Sequence, residues 1–229
     1  MSDEMIIQIR DLTKIYGDGV EIRALDGVDL NIEPGEFLAI VGPSGSGKST
    51  LLHQIGILDT PTSGTILLNG VDITKMSDRE RSKTRNRELG FIFQYHHLLP
   101  DFNALENVMM PLLIRGVKPS RARKIAREML EEVGLADRED HRPNQLSGGQ
   151  NQRVTIARAL ANSPGIVIGD EPTGNLDSKS SDNIYELLRR LNQEHDQTFI
   201  LVTHDESMAA KTDRIIRIVD GRIVEDSRR

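Results

Sequence analysis

Cysteine is absent from all 229 residues, which excludes a disulfide framework and a thiolate metal site and leaves the redox compartment unreadable from thiols. Also missing is any run approaching the roughly 20 consecutive apolar residues of a membrane-spanning helix; the longest apolar runs are strand-length, so any membrane role is expected to be peripheral. Cationic side chains are not in excess. Lys and Arg number 29 against 35 Asp and Glu, a formal net charge of −6, whereas coating nucleic acid depends on many cations, so no nucleic-acid partner is expected. The densest basic cluster, Arg79, Arg81, Lys83, Arg85 and Arg87, is interleaved with Asp78, Glu80 and Glu88 and reads as a solvated mixed-charge face. Residues 1–10 carry acidic side chains early, Asp3 and Glu4, and no long apolar stretch, so neither a secretory signal nor an anchor is expected there. Internal repeats, low-complexity tracts and clear linkers are lacking as well. A chain of this length can be stabilised by burial alone, as one substantial core or two small subdomains.

What is present starts with Gly42, Pro43, Ser44, Gly45, Ser46, Gly47, Lys48, Ser49 and Thr50, which fit the phosphate-binding pattern G-x-x-x-x-G-K-[ST] at every required position. Glycines there let successive backbone N–H groups curl around phosphate oxygens, Lys48 adds a point charge, and the Ser49 hydroxyl can ligate Mg²⁺. The flanks agree. Residues 37–41 (Phe-Leu-Ala-Ile-Val) suit a buried strand, and a helix is expected from Ser49, with its N-terminal dipole facing the anion. A nucleoside triphosphate is the expected ligand.

Strand and turn signals dominate from Ile6 to Gly90, among them residues 6–9, 24–32 and 64–70, with Asn69-Gly70 as a hairpin signal. Between Pro119 and Gly134 the period changes to three and four residues through Ala122, Ile125, Ala126, Met129, Leu130 and Val133, predicting an amphipathic helix closed by glycine. Helices and short apolar strands then alternate: a helix from about Ser147, a strand at 166–168, a helix carrying Ile184, Leu187, Leu188 and Leu191, and a strand at 199–202. That is the rhythm of a parallel sheet with crossover helices. Residues 214–224, with Asp220-Gly221 in the middle, read as a last hairpin. The expected class is α/β, with the stretch from about Pro100 to His141 inserted into one α/β unit.

Several other residues could serve nucleotide chemistry. The strand at 166–168 leads to Asp170 and Glu171, placed to hold Mg²⁺ through water and to orient the attacking water, respectively; two solvated acids ending a strand is the plainer alternative. Ser147 and Gly148 sit where a helix begins, giving a second anion-binding terminus or simply a good N-cap. His204 follows an apolar strand, at the edge where α/β proteins place ligands, and could hydrogen-bond a γ-phosphate there; a surface or core histidine satisfied by hydrogen bonds is the plainer alternative. Gln94 could ligate Mg²⁺ or position water, or be an ordinary polar loop residue, and Tyr16 could stack on a base, or be a core aromatic near the first strand.

Taken in order, Tyr16, residues 42–50, Gln94, Leu146-Ser-Gly-Gly-Gln150, residues 166–171, Gly174-Asn-Leu-Asp177 and His204 resemble the nucleotide-binding domain of ATP-binding cassette proteins over nearly the whole chain. The resemblance implies a P-loop NTPase core with a mixed, largely parallel sheet, an N-terminal antiparallel β subdomain and an inserted helical subdomain. Core and β subdomain would occupy about 1–95 and 160–229, and the helical subdomain about 96–159. It implies ATP and Mg²⁺ as ligands and a second copy docked head to tail. Ser147, Gly148, Gly149 and Gln150 of one copy would then meet the γ-phosphate held by Lys48 of the other, with Asp177 at the interface. It further implies ATP hydrolysis coupled to integral membrane permease subunits, with the chain on the inner face of the cell membrane and residues 94–100 facing those subunits. Residues 93–108 and 110–113 look closest to the ATPases of lipoprotein-releasing and MacB-type export systems. Asn151-Gln152-Arg153 is a common cassette variant but departs from the acidic and basic residues that lipoprotein-release members tend to place there, and Gly169 stands where a larger apolar residue is usual. A soluble cassette ATPase acting on DNA or ribosomes is the alternative, although this chain has no room for such relatives' second nucleotide domain or long insertions.

Overall fold

Ten strands and seven α-helices follow one another in a computed structural model that describes residues 5–17 and 19–228. The acidic start of the chain, residues 2–4, lies outside them. The first half of the order is β1 (Ile7–Tyr16), β2 (Ile22–Ile32), β3 (Phe37–Val41), α1 (Lys48–Ile55), β4 (Ser63–Leu68), β5 (Val71–Asp72), α2 (Asp78–Glu88), β6 (Leu89–Phe93) and α3 (Ala104–Ile114). The second is α4 (Pro119–Glu132), α5 (Gly148–Leu160), β7 (Ile166–Asp170), α6 (Ser178–His195), β8 (Thr198–Val202), α7 (Glu206–Ala209), β9 (Arg214–Val219) and β10 (Arg222–Arg228). The chain divides into two compact units, residues 1–82 with 192–229, and residues 83–191.

The first unit holds an antiparallel sheet of order β2-β1-β4-β5 and strands in the order β10-β9-β3-β8. In β1, Ile7 and Ile9 are buried and so is Leu12, which breaks the two-residue alternation. A register shift between Ile9 and Leu12, with Asp11 at φ 47°, re-aims the strand so that all three face inward. Asn69 and Gly70 have positive φ at both central turn positions, the geometry of a two-residue hairpin, and Asp220-Gly221 repeats it between β9 and β10. β3 and β8 are buried along their whole lengths and pair in parallel, Phe37 opposite Phe199, as continuous apolar runs should.

Buried beside these strands, Arg214 is 5% exposed; its guanidinium grips Asp226 through two bonds of 2.7 Å, donates to Glu36 at 3.0–3.1 Å and reaches the Asn31 carbonyl. Arg214→Ala is expected to lower unfolding stability by about 3 kcal/mol, because the carboxylates it serves are left partly buried. Urea denaturation checks this, and an unchanged midpoint contradicts it.

The expectation of mostly strand and turn before Gly90 needs one correction. α2 is a helix with no buried residue, mixed in charge as foreseen for that face. Its start is a capping box, in which Ser77 and Glu80 exchange hydrogen bonds with each other's backbone N–H. With no apolar side chain in the helix, periodicity had nothing to register.

In the second unit β6 and β7 pair in parallel, Leu89 opposite Ile166 through Phe93 opposite Asp170. α5 lies against β6, so closely that a Cβ on Gly90 would stand 2.5 Å from the Ala159 carbonyl oxygen. α3, α4 and α5 pack on one another. α4 buries Ala122, Ala126 and Leu130 and is closed by Gly134 at φ 73°, as the apolar period implied. Asn103 opens α3 with a second capping box through Glu106. Among the described residues no helix is long and apolar enough to cross a membrane.

Candidate functional site

In the first unit the phosphate loop leaves the end of β3 and enters α1. Gly42 has φ 151° and Gly47 φ 103°, and a Cβ at either would collide with a carbonyl oxygen, that of Ile218 or of Ala24. Side chains are therefore barred at both positions. Gly45, at φ 79°, meets nothing within 4 Å, so one face of the loop is open. Ser46 N–H donates to the Pro43 carbonyl and Gly221 N–H to the Ser46 carbonyl, which ties the loop to the β9–β10 hairpin. The Lys48 ammonium donates to the carbonyls of Gly42 (2.9 Å) and Pro43 (2.8 Å), so it lies across the loop it belongs to. Ser49 is exposed and Thr50 half-buried in the first turn of α1, where backbone N–H groups lack helical partners. A cation lying across an open loop at a helix N-terminus fits the phosphates of a nucleotide, and the exposed Ser49 hydroxyl fits Mg²⁺.

Tyr16 ends β1 at 40% exposure, so it is not a core residue. Its hydroxyl donates to Asp59 (2.9 Å), and the Lys14 ammonium lies 4.7 Å from the ring centroid while also pairing with Asp59 at 2.8 Å. Burial, then the hydrogen bond and charge of Asp59, push the phenol above its ordinary range. His204 is exposed just beyond β8. The preceding Thr203 donates its N–H to Ile40 of β3 at 3.2 Å, and the following Asp205 caps α7. His204 is thus held at the same strand edge from which the phosphate loop departs.

The second unit carries the remaining residues. β7 ends in Asp170, and Glu171 follows at φ 49°, an uncommon conformation for a residue with a long side chain. The Glu171 carbonyl accepts from Gly174 N–H at 3.0 Å, closing a turn. Gln94, just past β6, donates its amide to the Asn175 side chain at 3.1 Å, and Asn175 donates back to the Gln94 carbonyl at 3.0 Å. A Cβ on Gly174 would press on the Gln94 amide at 2.8 Å. Gln94 and the turn after Glu171 are therefore one cluster.

Ser147 is the N-cap of α5: its hydroxyl accepts from Gln150 N–H and the Gln150 amide oxygen accepts from Ser147 N–H. Gly148 and Gly149 open the first turn, and Ser147 and Gly148 are exposed. Gly149 comes near Ser180 of α6, whose N–H and hydroxyl both donate to Asp177, at 2.9 and 2.7 Å. These two donors hold the Asp177 carboxyl below its usual range. Helix start, Asp177 and the 171–175 turn lie in one unit. Lys14, Asp59 and Gln152, which donates to the Pro172 carbonyl, are further residues here to which sequence reading gave no role. No motif marks them, since their contacts arise from position in the fold alone.

A family model described as ABC transporter matches residues 25–174, from β2 to the turn after Glu171, and the chain belongs to that family of ATP-binding cassettes. Among relatives, the lipoprotein-releasing system ATP-binding protein LolD of Geobacter metallireducens is 52% identical over 222 residues, covering 96% of this chain and 99% of its own. LolD of Bordetella pertussis is likewise 52% identical over 221 residues, covering 96% of each. Among solved structures, the ATP-binding cassette MJ0796, in a dimeric post-hydrolysis state bound to ADP and Pi, superposes with a TM-score of 0.88. It is 44% identical and covers 97% of this chain and 98% of that one. Nothing among these relatives favours the reading of a cassette acting on DNA or ribosomes.

Proposed function

We propose that this chain is the ATP-binding and ATP-hydrolysing subunit of a membrane transporter that releases lipoproteins, acting as a pair of copies bound to integral membrane partners on the cytoplasmic face. The observation that carries the reading is identity of about one residue in two, over nearly the full length of both chains, with ATP-binding proteins of lipoprotein-releasing systems. MJ0796, similar along almost its whole length, is dimeric in its ADP-bound and Pi-bound structure, which supports pairing.

In this reading Gly42–Thr50 cradles the triphosphate, Tyr16 stacks on the base, and Ser49, Gln94 and Asp170 hold Mg²⁺. Bound Mg²⁺ supplies charge neutralisation at the phosphates undergoing transfer. Glu171 accepts the proton of the attacking water, and His204 hydrogen-bonds the γ-phosphate. The N-terminus of α5 from the second copy, Ser147 to Gln150, offers backbone N–H groups and a helix dipole to the same γ-phosphate, and Asp177 lies at the seam. Phosphate charge thereby joins two copies, and its loss lets them part. With no spanning helix among the described residues, work on a membrane cargo passes through partner subunits. Residues 94–100, with Tyr95 70% exposed, form the surface turned to them.

A tagged chain expressed in its source and extracted in detergent is expected to bring down polytopic membrane subunits, and its depletion to leave lipoproteins in the inner membrane. Recovery of the chain without membrane partners overturns the transporter assignment; unaltered lipoprotein localisation overturns the cargo. The shared site has its own test. Ser147→Ala and Lys48→Ala variants should each lose hydrolysis, yet a mixture should recover part of it, since one of the two sites in a mixed pair is intact. No recovery on mixing refutes sharing.

A further inference from the structure

We infer that Gln152 is a positioning residue for Glu171, through which the helix bearing the Ser147 cap sets the placement of the catalytic base. This rests on the roles given above to Glu171 and Ser147. Gln152 lies on α5 five residues past that cap and is fully buried. Its Nε2 donates to the carbonyl of Pro172, the residue immediately after Glu171, at 2.5 Å. Only a donor can face a carbonyl oxygen, so the orientation of the amide is set. On the other side of the same turn, Gln94 grips Asn175. Glu171 therefore stands, at φ 49°, in a turn tethered from two sides, by α5 at Pro172 and by Gln94 at Asn175.

The second atom of the amide argues that the donor is there for placement rather than for packing. Gln152 Oε1 is buried and accepts no hydrogen bond among the described residues. A buried carbonyl without a donor destabilises, and an apolar side chain of similar volume avoids that cost. Retaining the amide is thus a local sacrifice of stability, the kind that accompanies functional placement. A shift of α5 on phosphate capture at Ser147 is transmitted by one hydrogen bond to the backbone next to Glu171, the base for the nucleotide held in the same copy.

Two variants test the link. Gln152→Leu keeps the volume but removes the donor; kcat is expected to fall about 10- to 100-fold, since small misplacement of a catalytic group costs that much, with KM for ATP little changed. Its melting midpoint should stay within about 3 °C of the parent chain, as expected when a lost hydrogen bond is offset by relief of an unpaired oxygen. Gln152→Glu restores a donor only when protonated, and burial raises a carboxyl pKa, so its kcat relative to the parent should rise as pH is lowered. A role limited to packing predicts no such slope. Parent-like kcat in Gln152→Leu, or a flat ratio against pH in Gln152→Glu, overturns the inference. Glu171→Gln, run alongside, separates the cases: if it still hydrolyses ATP, the base assignment has failed and not the Gln152 link.

Discussion

Lys48→Ala should lose about two orders of magnitude or more in ATP affinity while leaving the fold intact. Among the described residues its ammonium bonds to carbonyls of its own loop, Gly42 and Pro43, so alanine removes little that holds the unit together. Toward a triphosphate the balance differs. A cation about 4 Å from a phosphate charge near a protein surface is worth about 4 kcal/mol at an effective dielectric of 20, and each 1.4 kcal/mol is tenfold in affinity. Solvent screening takes back part of this, which leaves a loss of about 100-fold. Calorimetric titration with ATP measures it, and thermal unfolding without nucleotide should be unchanged. Retained affinity contradicts the role of the loop.

Glu171→Gln should abolish turnover while preserving nucleotide binding. An amide of the same shape can hold the water but cannot take its proton, and general-base catalysis is worth about 10²- to 10⁴-fold. Backbone φ at this position is already uncommon, and Gln tolerates it as Glu does, so the turn through Gly174 should persist. With ATP present and hydrolysis blocked, the phosphate bridge between copies is not broken, and a dimer should accumulate on gel filtration that disperses when ATP is withdrawn. Continued hydrolysis in this variant removes Glu171 from the mechanism.

Much of the fold and of the site is legible in the order of the residues. The Gly42–Thr50 loop, the Asn69-Gly70 and Asp220-Gly221 hairpins and the α4 period are local signals: their residue types and spacings leave little conformational choice. α2 escapes because its only mark is the Ser77–Glu80 cap, and a helix without an apolar face has no period to read. Tyr16 can be named from sequence but not placed. Its neighbours Lys14 and Asp59 come from two residues and from 43 residues away, and only packing decides that one ring face carries a cation while the hydroxyl is tied down.

Residue types alone carry the proposed chemistry: a lysine and glycines for phosphate, a carboxylate pair at a strand end, and a serine-capped helix start, because charge, hydroxyl and backbone freedom belong to residues wherever they fold. Tertiary structure alone decided how those groups are held. The re-phasing of β1 at Asp11, the tether of Gln94 to Asn175 and the bond from Gln152 to Pro172 join residues far apart in the chain. Such contacts form only when burial of the strands and helices around them brings the partners together, and no local spacing records them.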